Sequence, residues 1–195
     1  MTSLKPWPGL TLTGNYAIAA IPARYALERG DWEAAGSLQP PGDAVPLAAQ
    51  AITWMAVGIG SARSGNPVKA THAEHVLAQL RDAAAPQSKY WSDQIEVQRR
   101  EVAAWIAEKS SSPGDAISTM RSAAELEESM DKHAVTPGAV IPAREMLAEL
   151  LLGHGKAQES LQEYQAVLKV APNRFNALAG AAKAADASKT ATLAK

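Results

Sequence analysis

Helix-forming apolar stretches, separated by short Gly, Pro or Ser breaks, organise this chain. Four times such a stretch runs into a break and is followed by a second helical stretch. The clearest copy spans residues 151–164 around Gly155, and a fainter copy spans residues 26–35 around Gly30. Two helices joined by a tight turn and repeated along a chain are typical of a helical hairpin repeat. The pattern therefore predicts an array of hairpins, which presents surfaces more often than it carries out chemistry.

The breaks also predict where the helices begin and end. Asn66 before Pro67 is a strong start signal, and Asp31 and Ser88 are further N-cap candidates. The predicted helices cover residues 15–29, 32–38, 45–62, 67–84, 89–108, 113–130, 140–152, 156–170 and 174–185. No run alternates apolar and polar residues long enough for a strand, so the predicted class is all-α. Residues 1–14 are predicted to be a flexible leader, residues 15–185 the repeat domain and residues 186–195 a frayed tail.

Composition and charge narrow the possible partners. The chain has 195 residues, is 47% hydrophobic and carries a formal charge of -1. Nucleic acid and an anionic membrane surface both need a basic face, so neither is an expected partner. Cysteine is absent, which excludes disulfides and thiolate ligands, and no cofactor is predicted. No signal-peptide core or membrane-spanning stretch occurs in the sequence. A cytoplasmic location is favoured on that basis, although the compartment stays open.

Small and aromatic residues recur at set positions in the copies, and they resemble the tetratricopeptide repeat family. The fourth copy matches this pattern at Ala148, Gly155, Tyr164 and Pro172, with Ser160 in place of the usual alanine. The second matches at Trp54, Gly58, Gly65 and Ala70, the third at Ala104, Ala116 and Ala123, and the first at Gly30, Trp32 and Ala35. The resemblance implies an α-solenoid of about four hairpins plus a C-terminal capping helix. Residues 20–32 and 131–138 also look like the C-terminal array of uncharacterised bacterial tetratricopeptide proteins.

The resemblance further implies that the concave face of the array binds a protein or peptide. The family's inward-facing positions fall on residues of mixed character: Arg24, Glu28, Met55, Ile59, Arg63, Gln98, Glu101, Trp105, Glu145 and Glu149. Met55 and Ile59 occupy positions where related domains place polar groups that clamp a terminal carboxylate, so binding of that kind is not expected. The alternative is that these residues form an ordinary solvated face.

The connector before the fourth copy holds His133 and Thr136, which stand out from the rest of the sequence. A long connector is a place where an array can carry function, and a histidine titrates near neutral pH. The alternative function is a hydrolase whose site combines His133 with carboxylates such as Glu101 and Glu145. No catalytic motif supports it, and nothing in the sequence separates the pKa values of the many carboxylates. A simple turn is the favoured interpretation of the connector.

The remaining candidates are weaker. His72 and His75 lie one turn apart, but the stronger His-Glu-x-x-His motif is absent, so a solvated surface is expected there and at His154. Trp105 is expected to pack in the core together with Tyr90 and Trp91. Homodimer formation through an exposed end of the array, near Tyr16, Ile18 and Tyr25, is a third hypothesis.

Overall fold

The computed structural model describes residues 11–110, 112–131 and 138–193, with side chains described through residue 189. Within these ranges the chain is all-helical and has no strand. Its elements are α1 (Leu12–Glu28), α2 (Trp32–Gly36), α3 (Leu47–Ser64), α4 (Pro67–Ala84), α5 (Lys89–Lys109), α6 (Pro113–Ser129), α7 (Ala143–Gly153), α8 (Ala157–Val170) and α9 (Phe175–Leu193). The predicted all-α class is confirmed, and the nine helices of the described residues pack as a bundle.

The predicted start signals act as helix caps. The Asn66 side chain accepts a hydrogen bond from the Lys69 amide at 3.1 Å, and Pro67 is the first residue of α4. The Asp31 side chain accepts one from the Ala34 amide at 3.0 Å. Each cap satisfies a backbone donor that the first turn of a helix leaves without a partner. These local contacts explain why α2 and α4 begin where the sequence predicts.

Three glycines form the tight turns of the hairpins. Gly30, Gly65 and Gly155 have φ values of 65°, 90° and 73°. This left-handed backbone region costs glycine little, whereas a Cβ atom makes it unfavourable for other residues. The predicted turns of the first, second and fourth copies are therefore confirmed. Ser111, at the turn of the third copy, lies outside the described residues.

Each helix packs against the next one along the chain, and alternate helices also touch. Contacts join α1 to α3, α3 to α5, α5 to α7 and α7 to α9. Small residues allow the closest approaches. A Cβ on Gly58 would lie 2.7 Å from the Val102 side chain, and one on Gly60 would lie 2.6 Å from the Trp32 carbonyl oxygen. One apolar core runs from α1 to α7, and a smaller cluster lies among α7, α8 and α9.

Three helix boundaries differ by three residues or more from the predictions. Helix α1 begins at Leu12, not at Asn15, because the Thr11 side chain caps it by accepting from the Gly14 amide, so the predicted leader of residues 1–14 overlaps this helix. Helix α7 begins at Ala143, not at Val140, because a residue that precedes proline is disfavoured in the helical region and Ile141 precedes Pro142. Val140 and Ile141 are instead buried ahead of the helix. Helix α9 continues to Leu193, beyond the predicted end at residue 185. Alanine has the highest helix propensity, and the alanine-rich segment keeps the helix going through residues that were expected to fray.

Candidate functional site on the inner face of the helices

The predicted groove residues come from α1, α3, α5 and α7, and we call the sides of these helices that carry them the inner face. The structure brings several of the predicted residues into direct contact. Arg63 of α3 donates hydrogen bonds to both carboxylate oxygens of Glu149 of α7, at 3.0 and 2.5 Å. Trp105 of α5 places its Nε1 atom 3.5 Å from the Met146 sulfur of α7. Sequence positions far apart along the chain thus form one cluster.

Arg63 is the centre of a stacked arrangement. Its guanidinium carbon lies 3.7 Å from the ring centroid of Trp32 and 3.9 Å from that of Trp105. A planar guanidinium stacks well on aromatic faces while its edge still forms two hydrogen bonds to a carboxylate. With Glu149 at that edge, Arg63 links α2, α3, α5 and α7. The residue therefore has a structural role in addition to any contact with a ligand.

Arg174, just before α9, contacts residues of the inner face, which the sequence did not reveal. It lies 2.8 Å from Glu28 of α1, and its two hydrogen bonds to Glu145 of α7 measure 2.5 and 2.9 Å. The side chain of Asn176 also donates to Glu28, at 2.7 Å. Burial raises the pKa of Glu145, and the hydrogen bonds from Arg174 oppose that change. These contacts tie the beginning of the described chain to its last helix.

Arg24 forms a second long-range link, from α1 to the segment that precedes α7. It donates to the Ala139 carbonyl at 3.0 Å and to the Val140 carbonyl at 3.2 Å. Hydrogen bonds from a charged donor are stronger than those between neutral groups. Arg24 therefore holds the segment before α7 against α1, and its donors are committed to the protein itself.

The centre of the inner face is buried, so it differs from the mixed, open lining that the sequence suggests. The buried members are Met55, Ile59, Glu101, Trp105 and Glu145, which are 2%, 1%, 1%, 5% and 6% exposed. Their burial depends on packing between helices that are distant along the chain, which no local pattern reveals. Burial of Trp105 agrees with its expected core packing. A role of these residues in partner binding stays a prediction.

Glu101 is the most unusual of these residues. Its carboxylate is buried, and its Oε2 atom has no hydrogen-bond partner among the described residues, as is true of the Gln98 Oε1 atom one turn away. Burial raises the pKa of Glu101 well above its ordinary value, and the negative charge of Glu127 raises it further. A buried acid without a cation favours its neutral form.

Glu127 of α6 shares this environment. Burial raises its pKa to about 7, although the hydrogen bond that its carboxylate accepts from the Ala143 amide at 3.0 Å acts in the opposite direction. By contrast, Glu96 has a pKa of about 2. Its burial acts to raise the pKa, but hydrogen bonds from Arg99, Arg81 and Arg100 outweigh that effect. Burial and contacts with arginine thus separate the pKa values of these carboxylates, although nothing in the sequence indicates this.

Two cavities border the inner face. The first, of about 380 Å³, has apolar residues such as Leu27, Ile59 and Met146 together with charged residues such as Glu149 and Lys183. The second, of about 460 Å³, lies beside Glu127 and is lined also by Tyr16, Tyr90, Arg24 and Arg174. Both volumes are in the range of ordinary ligand pockets. Part of Glu127 faces the second cavity, which explains why this residue is half-buried.

The histidine candidates separate into different situations. His133 and Thr136 of the flagged connector lie outside the described residues. His154, expected on a solvated surface, is half-buried and lies 2.8 Å from the Glu108 carboxylate. His72 and His75 are both exposed, as expected, and His72 also contacts the Trp54 ring edge-on at a centroid distance of 5.4 Å. Within the described ranges, no group of three or more His, Cys, Asp or Glu side chains could hold a metal ion.

The end predicted to self-associate is only partly exposed. Tyr16 is buried, with its ring centroid 6.2 Å from that of Trp91, and Ile18 is half-buried. Tyr25 is 54% exposed and has Ile21, at 60%, one turn away. Homodimer formation at this end stays a prediction.

Comparison of the chain with protein-family models, with curated proteins and with solved structures found no match. The resemblance to the tetratricopeptide family consequently rests on the residues of the chain alone. Among the helices of the described ranges, none combines the length and apolar character needed to cross a bilayer.

Proposed function

We propose that the chain is an α-solenoid of tetratricopeptide type that serves as a protein- or peptide-binding scaffold. The packing order supports this proposal. Contacts run between each helix and the next and between α1, α3, α5, α7 and α9, which is the order expected when successive hairpins stack side by side. Under this arrangement, the odd-numbered helices form the concave side of the array. Ser160, at the family's small position, fits because its hydroxyl donates to the Ala148 carbonyl at 2.7 Å.

The observation that carries the binding proposal is the first cavity. Five of the predicted groove residues line it, together with Trp32: Glu28, Ile59, Arg63, Glu145 and Glu149. The Glu149 side chain remains 44% exposed, so a partner can reach it. Pockets with an apolar lining and a few placed polar groups are the usual form of a binding site. Trp105, a buried groove residue, contacts Arg63 and Met146 of the lining and so supports the wall of the cavity.

Filling the cavity tests this proposal. Ala179 lines it, whereas Ala182 lies on the exposed side of the same helix. Ala179→Trp should abolish capture of a partner from the native cell extract, while Ala182→Trp should retain it at the wild-type level. Both variants must keep the helical circular dichroism of the wild type. Equal capture by the two variants would contradict a role of this cavity.

A second candidate function is hydrolysis at a carboxylate site beside the second cavity. The observation that favours it is Glu127, whose pKa of about 7 suits a general acid or base at neutral pH and which lies near Arg24 and Arg174. In this hypothesis the buried Glu101 would assist Glu127. The other hypothesised residue, His133, lies outside the described residues.

The hydrolase candidate is tested by measuring turnover of a panel of ester and phosphoester substrates. Activity that is present in the wild type, lost in Glu127→Gln and kept in the exposed-residue control Glu125→Gln would support it. Turnover that survives in Glu127→Gln would remove the proposed role.

A further inference from the structure

We infer that the first cavity binds an apolar side chain of a partner segment that carries acidic residues next to it. This inference rests on the proposed binding function and adds to it the chemical class of the partner. Two observations carry it: the apolar floor of the cavity and the unneutralised cations at its mouth.

The floor of the cavity is apolar and is formed by several helices. Leu27, Ile59, Ile141, Met146 and Leu152 line it, with Trp32 at one side. Burying an aliphatic or aromatic side chain in such a place removes apolar surface from water and so favours binding. A volume of about 380 Å³ suits one or two side chains and is too small for a folded element.

The acidic residues that line the cavity are already paired within the protein. Arg63 holds Glu149, and Arg174 holds both Glu28 and Glu145. A cation of the partner would have to compete with these arginines. Both ion pairs of Arg174 are largely shielded from water. The cavity therefore has little to offer a basic segment.

The cations at the mouth are in the opposite situation. Arg29, at the end of α1, and Lys183, on α9, both line the cavity and are exposed. Neither forms an ion pair within the described part of the chain. The guanidinium of Arg29 instead lies 5.2 Å from the ring centroid of Tyr25. Asp186, one turn beyond Lys183, lies 3.8 Å from Lys189. Charge complementarity at the mouth thus favours carboxylates on either side of the inserted apolar residue.

The experiment is a selection from a displayed library of random twelve-residue peptides on the full-length chain. We expect peptides in which Asp or Glu flanks Leu, Met or Phe. Selection on the double variant Arg29→Glu/Lys183→Glu should lose this acidic preference. The affinity of a selected peptide for that variant should fall roughly tenfold or more, because like charges then face each other. The matched control is Lys109→Glu/Lys169→Glu, which makes the same change of net charge at exposed lysines away from the cavity.

The outcomes distinguish this inference from the proposed function. Peptides without an acidic preference, or the same peptides selected on both double variants, would overturn the inference while leaving peptide binding intact. Peptides whose binding is unchanged by Ala179→Trp would place the site elsewhere and overturn it as well. A library that yields no binders to the folded wild type would overturn both the inference and the peptide-binding function.

Discussion

Glu96 and Glu101 lie on the same helix, α5, and their surroundings are opposite. Glu96 faces α4, and three arginines donate to its carboxylate at 2.8–2.9 Å. Arg81 is on α4, whereas Arg99 and Arg100 are on α5 itself. Glu101 lies on the inner face and is 1% exposed, with one carboxylate oxygen that lacks a hydrogen-bond partner in the described chain. Hydrogen bonds from the arginines lower the pKa of Glu96, whereas the pKa of Glu101, which no arginine offsets, stays high. Burial and the supply of cations together decide which form each acid takes.

The two regions therefore suit different tasks. The Glu96 cluster joins α4 to α5, because Arg99 also pairs with Glu74 of α4. On the inner face, Arg24 donates to backbone carbonyls and Arg174 pairs with Glu28 and Glu145, so neither donates to Glu101 or Glu127. The first region joins two helices through ion pairs, whereas the second retains carboxyl groups with raised pKa values.

The largest expected effect comes from removing an arginine from the inner face. Arg174→Met leaves Glu145, which is 6% exposed, without its partner, and breaking a buried pair on one side costs about 3 kcal/mol. For a domain of this size the melting temperature should fall by roughly 6–12 °C. Thermal unfolding followed by circular dichroism at pH 7 measures it. Arg29→Met is the matched control, because Arg29 is exposed, and an equal loss in both variants would contradict the assigned role.

A smaller loss is expected from Glu96→Gln. Its pKa of about 2, against an ordinary value of 4.5, corresponds to about 3–4 kcal/mol of stability, which solvent screening of these partly exposed ion pairs reduces to roughly 2–3 kcal/mol. Because the folded-state pKa is depressed, this contribution is present above pH 4.5 and is lost as the pH falls towards 2. Urea unfolding should therefore separate the variant from the wild type at pH 7 and bring the two together near pH 2.5. A difference that stays constant with pH would show that the carboxylate charge is not the cause.

The contrast between these acids shows how far the sequence leads. Caps, turn glycines and most helix ends depend on neighbours in the sequence, so Asn66 and Gly155 were predictable. Family positions also indicated correctly that Arg63 and Glu149 belong to one face. The state of Glu101 was not predictable, because its burial depends on tertiary packing, and long-range contacts such as those of Arg24 and Arg174 do not show in the sequence. Those contacts join residues more than a hundred positions apart, and no local pattern records them.

The smallest effect, a gain, is expected from Glu127→Gln. Burial raises the pKa of Glu127 to about 7, so the folded state takes up a proton that the unfolded state has already lost. The stability from this group is complete below pH 4.5 and is lost as the pH rises to about 7. Glutamine still accepts from the Ala143 amide and cannot ionise, so the variant should be more stable than the wild type by about 1–2 kcal/mol at pH 8. The difference should nearly vanish at pH 4.5.

Urea unfolding at the two pH values measures this difference in stability, with the exposed-residue variant Glu125→Gln as control. If the gain is equally large at both pH values, the ionisation of Glu127 is not its source, and the contrast with Glu96 no longer holds.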